Sequence, residues 1–430
     1  MAYKKIKLKN NLRLILAPLK ETKAVTILVL LPVGSRYESK NINGVSHFVE
    51  HLMFKGTERR PTSLDLTKTL DSVGAEFNAF TGKDQTGYYI KISADKVELA
   101  FDLLSDILFN SLFKSEDIEK ERGVITEEIN MFQDNPLMLI HGLFEQTVFP
   151  NSSLGQLISG PKSVIKKITR DQILNYKNKF YCPKNMVITV AGNFSQQKIL
   201  SLADKYFGLN GKKMTEVNFE SVKLTQNSPR INLFFKDTKQ VQMCLGFSAY
   251  SLADKNIFPL YLLAVILGGN MSSRLFTTIR EKYGLAYYIK AGVETYQDTG
   301  LLMVQAGLDK KRAKQGIRLI LEELKNIKDN GVSHEELLAA KEFLKGKLVL
   351  DLEDSESIAD WYGRQELLLG KTFTPAEKIK KVSSISVEQI KKVAQDIIKQ
   401  RKLNLALISP FKDRADFFEL LKFEENGPKK

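Results

Sequence analysis

The chain has 430 residues, 43% of them hydrophobic, with a formal net charge of +14. That length exceeds one ordinary core, so two or more globular domains are expected. The two cysteines, Cys182 and Cys244, lie far apart and exclude both a disulfide framework and a cysteine-built zinc site. The excess charge is Lys spread along the whole chain and comes with no nucleic-acid motif, so it reads as solvated surface and no nucleic-acid partner is expected.

Ile6 and Leu8, then Leu12, Leu14 and Leu16, alternate across Asn10-Asn11 and predict a hairpin. The first twelve residues show neither a signal-length apolar stretch nor an Arg- and Ser-rich transit pattern. Leu12–Ala17 and Val25–Val33 read as adjacent strands. The second, nine residues with Pro32 in it, is too short to cross a membrane. A cytoplasmic location in a reducing compartment, without a membrane partner, is the expectation.

Gly34 to Asn43 reads as a loop and is followed by His47-Phe48-Val49-Glu50-His51. Apolar residues at 48, 49, 52 and 53 suit a buried helical turn. Residues four apart share a helix face, so His47 and His51 can aim at one point, with Glu50 beside them. Two imidazoles and a carboxylate in the order H-x-x-E-H are the pattern of a hydrolytic zinc site.

Pro61-Thr62-Ser63 then caps a helix over Leu64–Val73, ended by Gly74. Ala75–Thr81 and Gly87–Ser93 read as strands around a turn at Gly82-Lys83-Asp84. Helices are predicted over Ala94–Phe109, Phe113–Met131, Leu137–Val148, Thr169–Phe180 and Ser195–Tyr206, and a strand over Met186–Ala191. Strands this close together do not fit a simple βαβ repeat. The fold class is α+β, with helices packed on largely antiparallel sheets.

The polar stretch 211–227 reads as a linker between residues 1–210 and residues 228–430, and after it the pattern starts again. Thr86-Gly87 and Thr299-Gly300 each precede a strand and then a helix, and Gln172-Ile173 and Gln389-Ile390 each lie in a helix before a strand. The offsets are 213 and 217 residues. Ordered matches at a near-constant offset indicate a duplication, two homologous half-domains of one fold. At the offset of 213, His47, Glu50 and His51 fall on Leu260, Leu263 and Ala264, so a metal would belong to the first half alone.

Zinc in a hydrolytic site takes three protein ligands and leaves one position for water. His141 and His334 stand isolated and read as ordinary residues, the second at a helix start. The better source of a third ligand is the acidic helix 121–130. Glu121 and Glu128 lie seven apart, two turns on one face, while Glu127 points about 100° away.

Together these motifs resemble the pitrilysin family of zinc peptidases, which includes mitochondrial processing peptidase and insulin-degrading enzyme, and within it the short bacterial members. The likeness runs from Leu14 into the last strand. In that family H-x-x-E-H is followed about 77 residues later by a ligand Glu, which from His51 is Glu128. The resemblance implies one Zn2+ per chain held by His47, His51 and Glu128, with Glu50 as the base and Glu121 supporting a ligating His. It implies that the strand with Asn78, Ala79 and Phe80 pairs with the substrate backbone. It also implies that Arg280 and Tyr287, seven apart after a Gly-rich loop, grip the substrate. Two departures stand in that segment: Asn270 replaces a third Gly, and Tyr283 stands where relatives commonly carry Arg. Four half-domains enclose a chamber in the family and one chain here supplies two, so a homodimer acting on peptides is expected, each site completed by Arg280 and Tyr287 of the other copy. The alternative is a non-catalytic peptide-binding or scaffold subunit of the same fold.

Overall fold

The computed structural model of the chain describes residues 3–208 and 217–422. The expected linker falls partly on 211–216, outside the described residues. Two compact units are present. One is Met1–Asn130, Gln156–Glu220 and Leu348–Ala376, and the other is Met131–Gly155, Ser221–Lys347 and Glu377–Lys430. Each unit thus draws chain from both sides of residues 211–227. Among the described residues no helix is long and apolar enough to cross a membrane.

The first unit is built on six strands: β1 (Lys4–Lys7), β2 (Arg13–Pro18), β3 (Ala24–Leu31), β4 (Glu76–Thr81), β5 (Thr86–Ser93) and β6 (Val187–Gly192). Their order is β1-β2-β6-β3-β5-β4. The β1–β2 and β4–β5 hairpins form as expected. The expected adjacency of Leu12–Ala17 and Val25–Val33 does not hold in space: β6 is inserted between β2 and β3, parallel to the first and antiparallel to the second. Hydrophobic alternation reports which face a residue occupies but carries no information on which strand lies beside it.

The central strands are apolar almost throughout because both faces of the sheet are covered. Leu14, Leu16, Ile27, Val29 and Leu31 face one core, packed with residues of the helices α1 (Val45–Met53), α2 (Ser63–Asp71), α3 (Val97–Asn110) and α4 (Ser115–Asp134). Ile15, Ala17, Leu28 and Leu30, the alternate residues, face another. There the helix Ser355–Leu369 lies on the sheet through Ile358, Ala359 and Tyr362. Each large apolar side chain fully buried in this way contributes roughly 1.5–3 kcal/mol.

The second unit repeats the plan with β7 (Arg230–Phe235), β8 (Gln240–Ala249), β9 (Ala286–Thr295), β10 (Gly300–Asp309) and β11 (Leu403–Ser409), in the order β7-β11-β8-β10-β9. This is the order of the first sheet without β1, and again the strand last in sequence runs parallel to one neighbour and antiparallel to the other. The duplication expected from the offsets is therefore a duplication of topology. Helix α5 (Pro136–Val148) covers the reverse face through Ile140 and Phe144, against Cys244, Leu301, Ala406 and Ile408. The counterpart of α1 is Ile257–Ala264, which is apolar and without metal-ligating side chains.

Candidate metal centre

Helix α1 buries Val45, Phe48, Val49, Leu52 and Met53 in the core of the first unit. Its start is fixed from outside the helix. Gly44 has φ of 100°, a conformation that costs a glycine little, and a Cβ there would come within 2.6 Å of the Ser159 carbonyl oxygen. The buried Glu38 carboxylate accepts from Gly44 N and Ser46 N, both at 2.7 Å, and from Asn43 Nδ2 at 2.8 Å. The two backbone N–H groups are donors a helix start otherwise leaves unpaired. Burial still pushes the Glu38 carboxyl up, against those bonds.

Helix α4 presents Ile118, Glu121, Ile125 and Ile129 inward. Glu128 lies at the border of that face, half-buried, and Glu127 is exposed, as the helical angle requires. The two helices bring three acceptor atoms together. His47 Nε2 is 3.2 Å from His51 Nε2, and Glu128 Oε2 is 3.4 Å from the first and 3.6 Å from the second. On its other side His51 Nδ1 is 2.9 Å from Glu121 Oε2, while Lys55 Nζ is 2.7 Å from Glu121 Oε1. In a neutral His51, donation of the Nδ1 hydrogen to Glu121 would leave the Nε2 lone pair facing the cluster, the tautomer a metal ligand needs.

This donor set fits zinc. Four ligands at 2.0–2.1 Å from a tetrahedral ion stand about 3.3 Å apart, and the three separations here lie close to that. Without a cation the cluster must hold a proton instead. Burial and the His51 charge push the His47 imidazole down to about 4, against the pull of Glu128. Burial also acts to lower His51, but Glu121 and Glu128 outweigh it and raise that ring to about 9. One difference separates the two histidines: among the described residues His47 Nδ1 is buried with no hydrogen-bond partner, where His51 Nδ1 has Glu121.

Glu50 accepts from the Thr81 hydroxyl at 2.5 Å, and burial pushes its carboxyl up. Burial acts to raise Glu121 too, but His51 and Lys55 more than offset it and hold that carboxyl below the usual range. Glu128 is held low chiefly by the His51 ring, whose Nε2 stands 3.6 Å away.

Asn78, Ala79 and Phe80 lie on β4, the outer strand of the first sheet, which is hydrogen-bonded to β5 alone among the strands of that sheet. Arg280 and Tyr287 belong to the second unit, where the guanidinium lies 5.5 Å from the Tyr287 ring centroid and the tyrosine is 75% exposed. His141 is bonded to Glu294 at 2.8 Å, and His334 opens the helix His334–Asp351. Glu38, Lys55 and Thr81 were not legible as site residues. Only Lys55, four residues beyond His51, stands at a spacing that offered a signal.

A duplicated α+β fold with an H-x-x-E-H helix in one copy defines the pitrilysin-type class of zinc metallopeptidases. Residues 13–162 match the family model described as Insulinase (Peptidase family M16), and residues 167–344 match the peptidase M16 inactive domain. A Bacillus subtilis protein called "Uncharacterized zinc protease YmxG" is 35% identical over 406 residues, covering 93% of this chain and 97% of that one. An uncharacterized zinc protease of Rickettsia felis is 34% identical over 395 residues, covering 91% and 94%. The crystal structure of a protease from Helicobacter pylori superposes with a TM-score of 0.89 at 25% identity, covering 95% of this chain and all of that one. The chain belongs to peptidase family M16.

Proposed function

We propose that the chain is a zinc-dependent endopeptidase acting on short or unfolded peptides. The observation that carries this reading is the cluster of His47 Nε2, His51 Nε2 and Glu128 Oε2, 3.2–3.6 Å apart, beside the Glu50 carboxylate. These three residues would hold one Zn2+ per chain. A zinc ion there supplies Lewis acidity, which lowers the pKa of water toward neutrality and polarises a peptide carbonyl. Glu50 takes the proton of the attacking water as its oxygen bonds to the carbonyl carbon, and delivers that proton to the amine as the C–N bond breaks. Its burial suits it to hold a proton nearer neutral pH than an exposed carboxylate does. Glu121 fixes the ring of His51, and Lys55 keeps Glu121 ionised. The free edge of β4, at Asn78, Ala79 and Phe80, pairs with the substrate backbone as an added strand.

In this reading residues 1–210 supply the metal-binding half, and residues 228–430 the half that carries Arg280 and Tyr287. Two chains form a closed homodimeric chamber, and Arg280 and Tyr287 of one copy serve the zinc site of the other. The guanidinium binds a substrate carbonyl, and the tyrosine hydroxyl donates to the developing oxyanion. The family resemblance and the presence of both elements in one chain support it. Mixing Glu50→Gln protein with Arg280→Ala protein is then expected to restore part of the activity each lacks. No recovery after subunit exchange would sink the trans arrangement. Two free buried cysteines suit the cytoplasmic setting.

A second reading, a non-catalytic peptide-binding or scaffold subunit, is favoured by the inactive-domain match. That match begins at residue 167, beyond the whole cluster. Zinc content after purification without chelator, with mass-spectrometric mapping of cleavage in a random peptide library, separates the two. The peptidase reading expects zinc near one equivalent and cleavage that a chelator stops. Metal-free protein that binds peptides intact would establish the second reading.

A further inference from the structure

We infer that Thr81 is the positioning residue of the general base, and that it ties the base to the strand where the substrate binds. The inference rests on the peptidase reading above. Along β4, side chains alternate between the faces of the sheet. Phe77 and Ala79 pack with the core beneath α1, and Phe80 packs on the opposite face. By the same alternation Thr81 stands on the α1 side, where its hydroxyl donates to Glu50 Oε2. One carboxylate oxygen is thereby held and the other left to take a proton.

The donor itself is held firmly. Thr81 is the last residue of β4, paired with Thr86. The turn that follows is closed by Gly82 N on the Gln85 carbonyl, at 2.8 Å. A second segment clamps that turn: Ser35 N and Arg36 N donate to the carbonyls of Gly82 and Lys83, each at 3.1 Å, and Arg36 is ion-paired to Asp84 at 3.2 Å. The approach is so close that a Cβ on Gly34 would stand 2.2 Å from the Gly82 oxygen. A hydroxyl on such a frame fixes a carboxylate more sharply than solvent does, and misplacement of a reacting group lowers rate steeply.

A peptide added along the free edge of β4 therefore binds to the strand that steers Glu50. Among the described residues the hydroxyl's hydrogen bond is to Glu50 and not to one of the clustered metal-binding atoms, so its loss should act on turnover rather than on metal binding.

The test uses the full-length, zinc-loaded protein and a fluorogenic peptide that the wild type cleaves. Thr81→Val keeps the shape and removes the donor; it is expected to lower kcat roughly 10- to 100-fold, with KM within about twofold and zinc affinity, measured by competition with a chelator, unchanged. Thr81→Ser restores the donor and is expected to recover most of kcat. Wild-type kcat in Thr81→Val overturns the inference while leaving the peptidase reading intact. So does a kcat loss that comes with loss of zinc, or one that Thr81→Ser shares, since either marks a purely structural role. A wild type that takes up zinc and cleaves no peptide overturns the peptidase reading, and this inference with it.

Discussion

Glu50→Gln is expected to lower peptide hydrolysis by roughly 10²- to 10⁴-fold while the protein still takes up one equivalent of zinc. The amide has the shape of the carboxylate and its oxygen can keep the bond from Thr81. What it lacks is the ability to accept a proton from water. Glu50 is not one of the three clustered acceptors, so its exchange leaves the metal-binding set intact. The two readouts are kcat on a peptide substrate and metal content by elemental analysis. Wild-type turnover by the variant would remove Glu50 from the mechanism. Loss of both zinc and turnover would show instead that Glu50 helps to hold the metal.

The second large effect is expected at Glu128. Exchange for Gln should weaken zinc binding by more than the roughly 10- to 100-fold typical for loss of an outer hydrogen-bond partner, and Glu121→Gln should fall within that smaller range. The reason is that Glu128 Oε2 stands beside both Nε2 atoms, 3.4 and 3.6 Å away, as a ligand would, whereas Glu121 stands behind His51 at Nδ1. The metal-free cluster also carries a proton that zinc must displace. His51, raised to about 9 by Glu121 and Glu128 against the effect of burial, is protonated at pH 7, whereas His47, lowered to about 4, is not. Zinc needs the His51 Nε2 lone pair and must displace that proton. Wild-type affinity should therefore rise about tenfold per pH unit up to roughly pH 9 and level off above it. Titration calorimetry in buffers of different ionisation enthalpy should report close to one proton released at pH 7. A Glu128→Gln protein that holds zinc as tightly as wild type, or uptake without proton release, would contradict the assignment of these ligands.

The parts of the centre legible in the sequence are those set by helical geometry. His47 and His51 share a face because they are four apart, and Glu121 and Glu128 because they are seven apart. Periodicity could not choose between the two acids. The choice of Glu128 came from resemblance, and the structure sets Glu128 beside both Nε2 atoms and Glu121 behind His51. The partners that hold the centre were hidden because they arrive through tertiary contacts. Glu38 reaches the start of α1 from a loop, and Thr81 reaches Glu50 from a strand thirty-one residues on.

The same limit applied to the fold. Repeats at offsets of 213 and 217 announced two copies, but the alternation in β8, with Val241, Met243, Leu245, Phe247 and Ala249 on one core and Gln242, Cys244, Gly246 and Ser248 between them, gives faces and not neighbours. The insertion of β6 between β2 and β3 joins segments far apart in the chain, and no local pattern marks it.

The covering helices of the two sheets carry a consequence for the gene. The helix Ser355–Leu369 is encoded after 211–227 yet completes the first unit, and α5 is encoded before it yet completes the second. A cut at that junction would not release two modules. Each fragment would emerge with one bare apolar sheet and one helix meant for its sibling. The two copies thus share their chain by an exchange of roofs, and neither half stands complete without the other's segment.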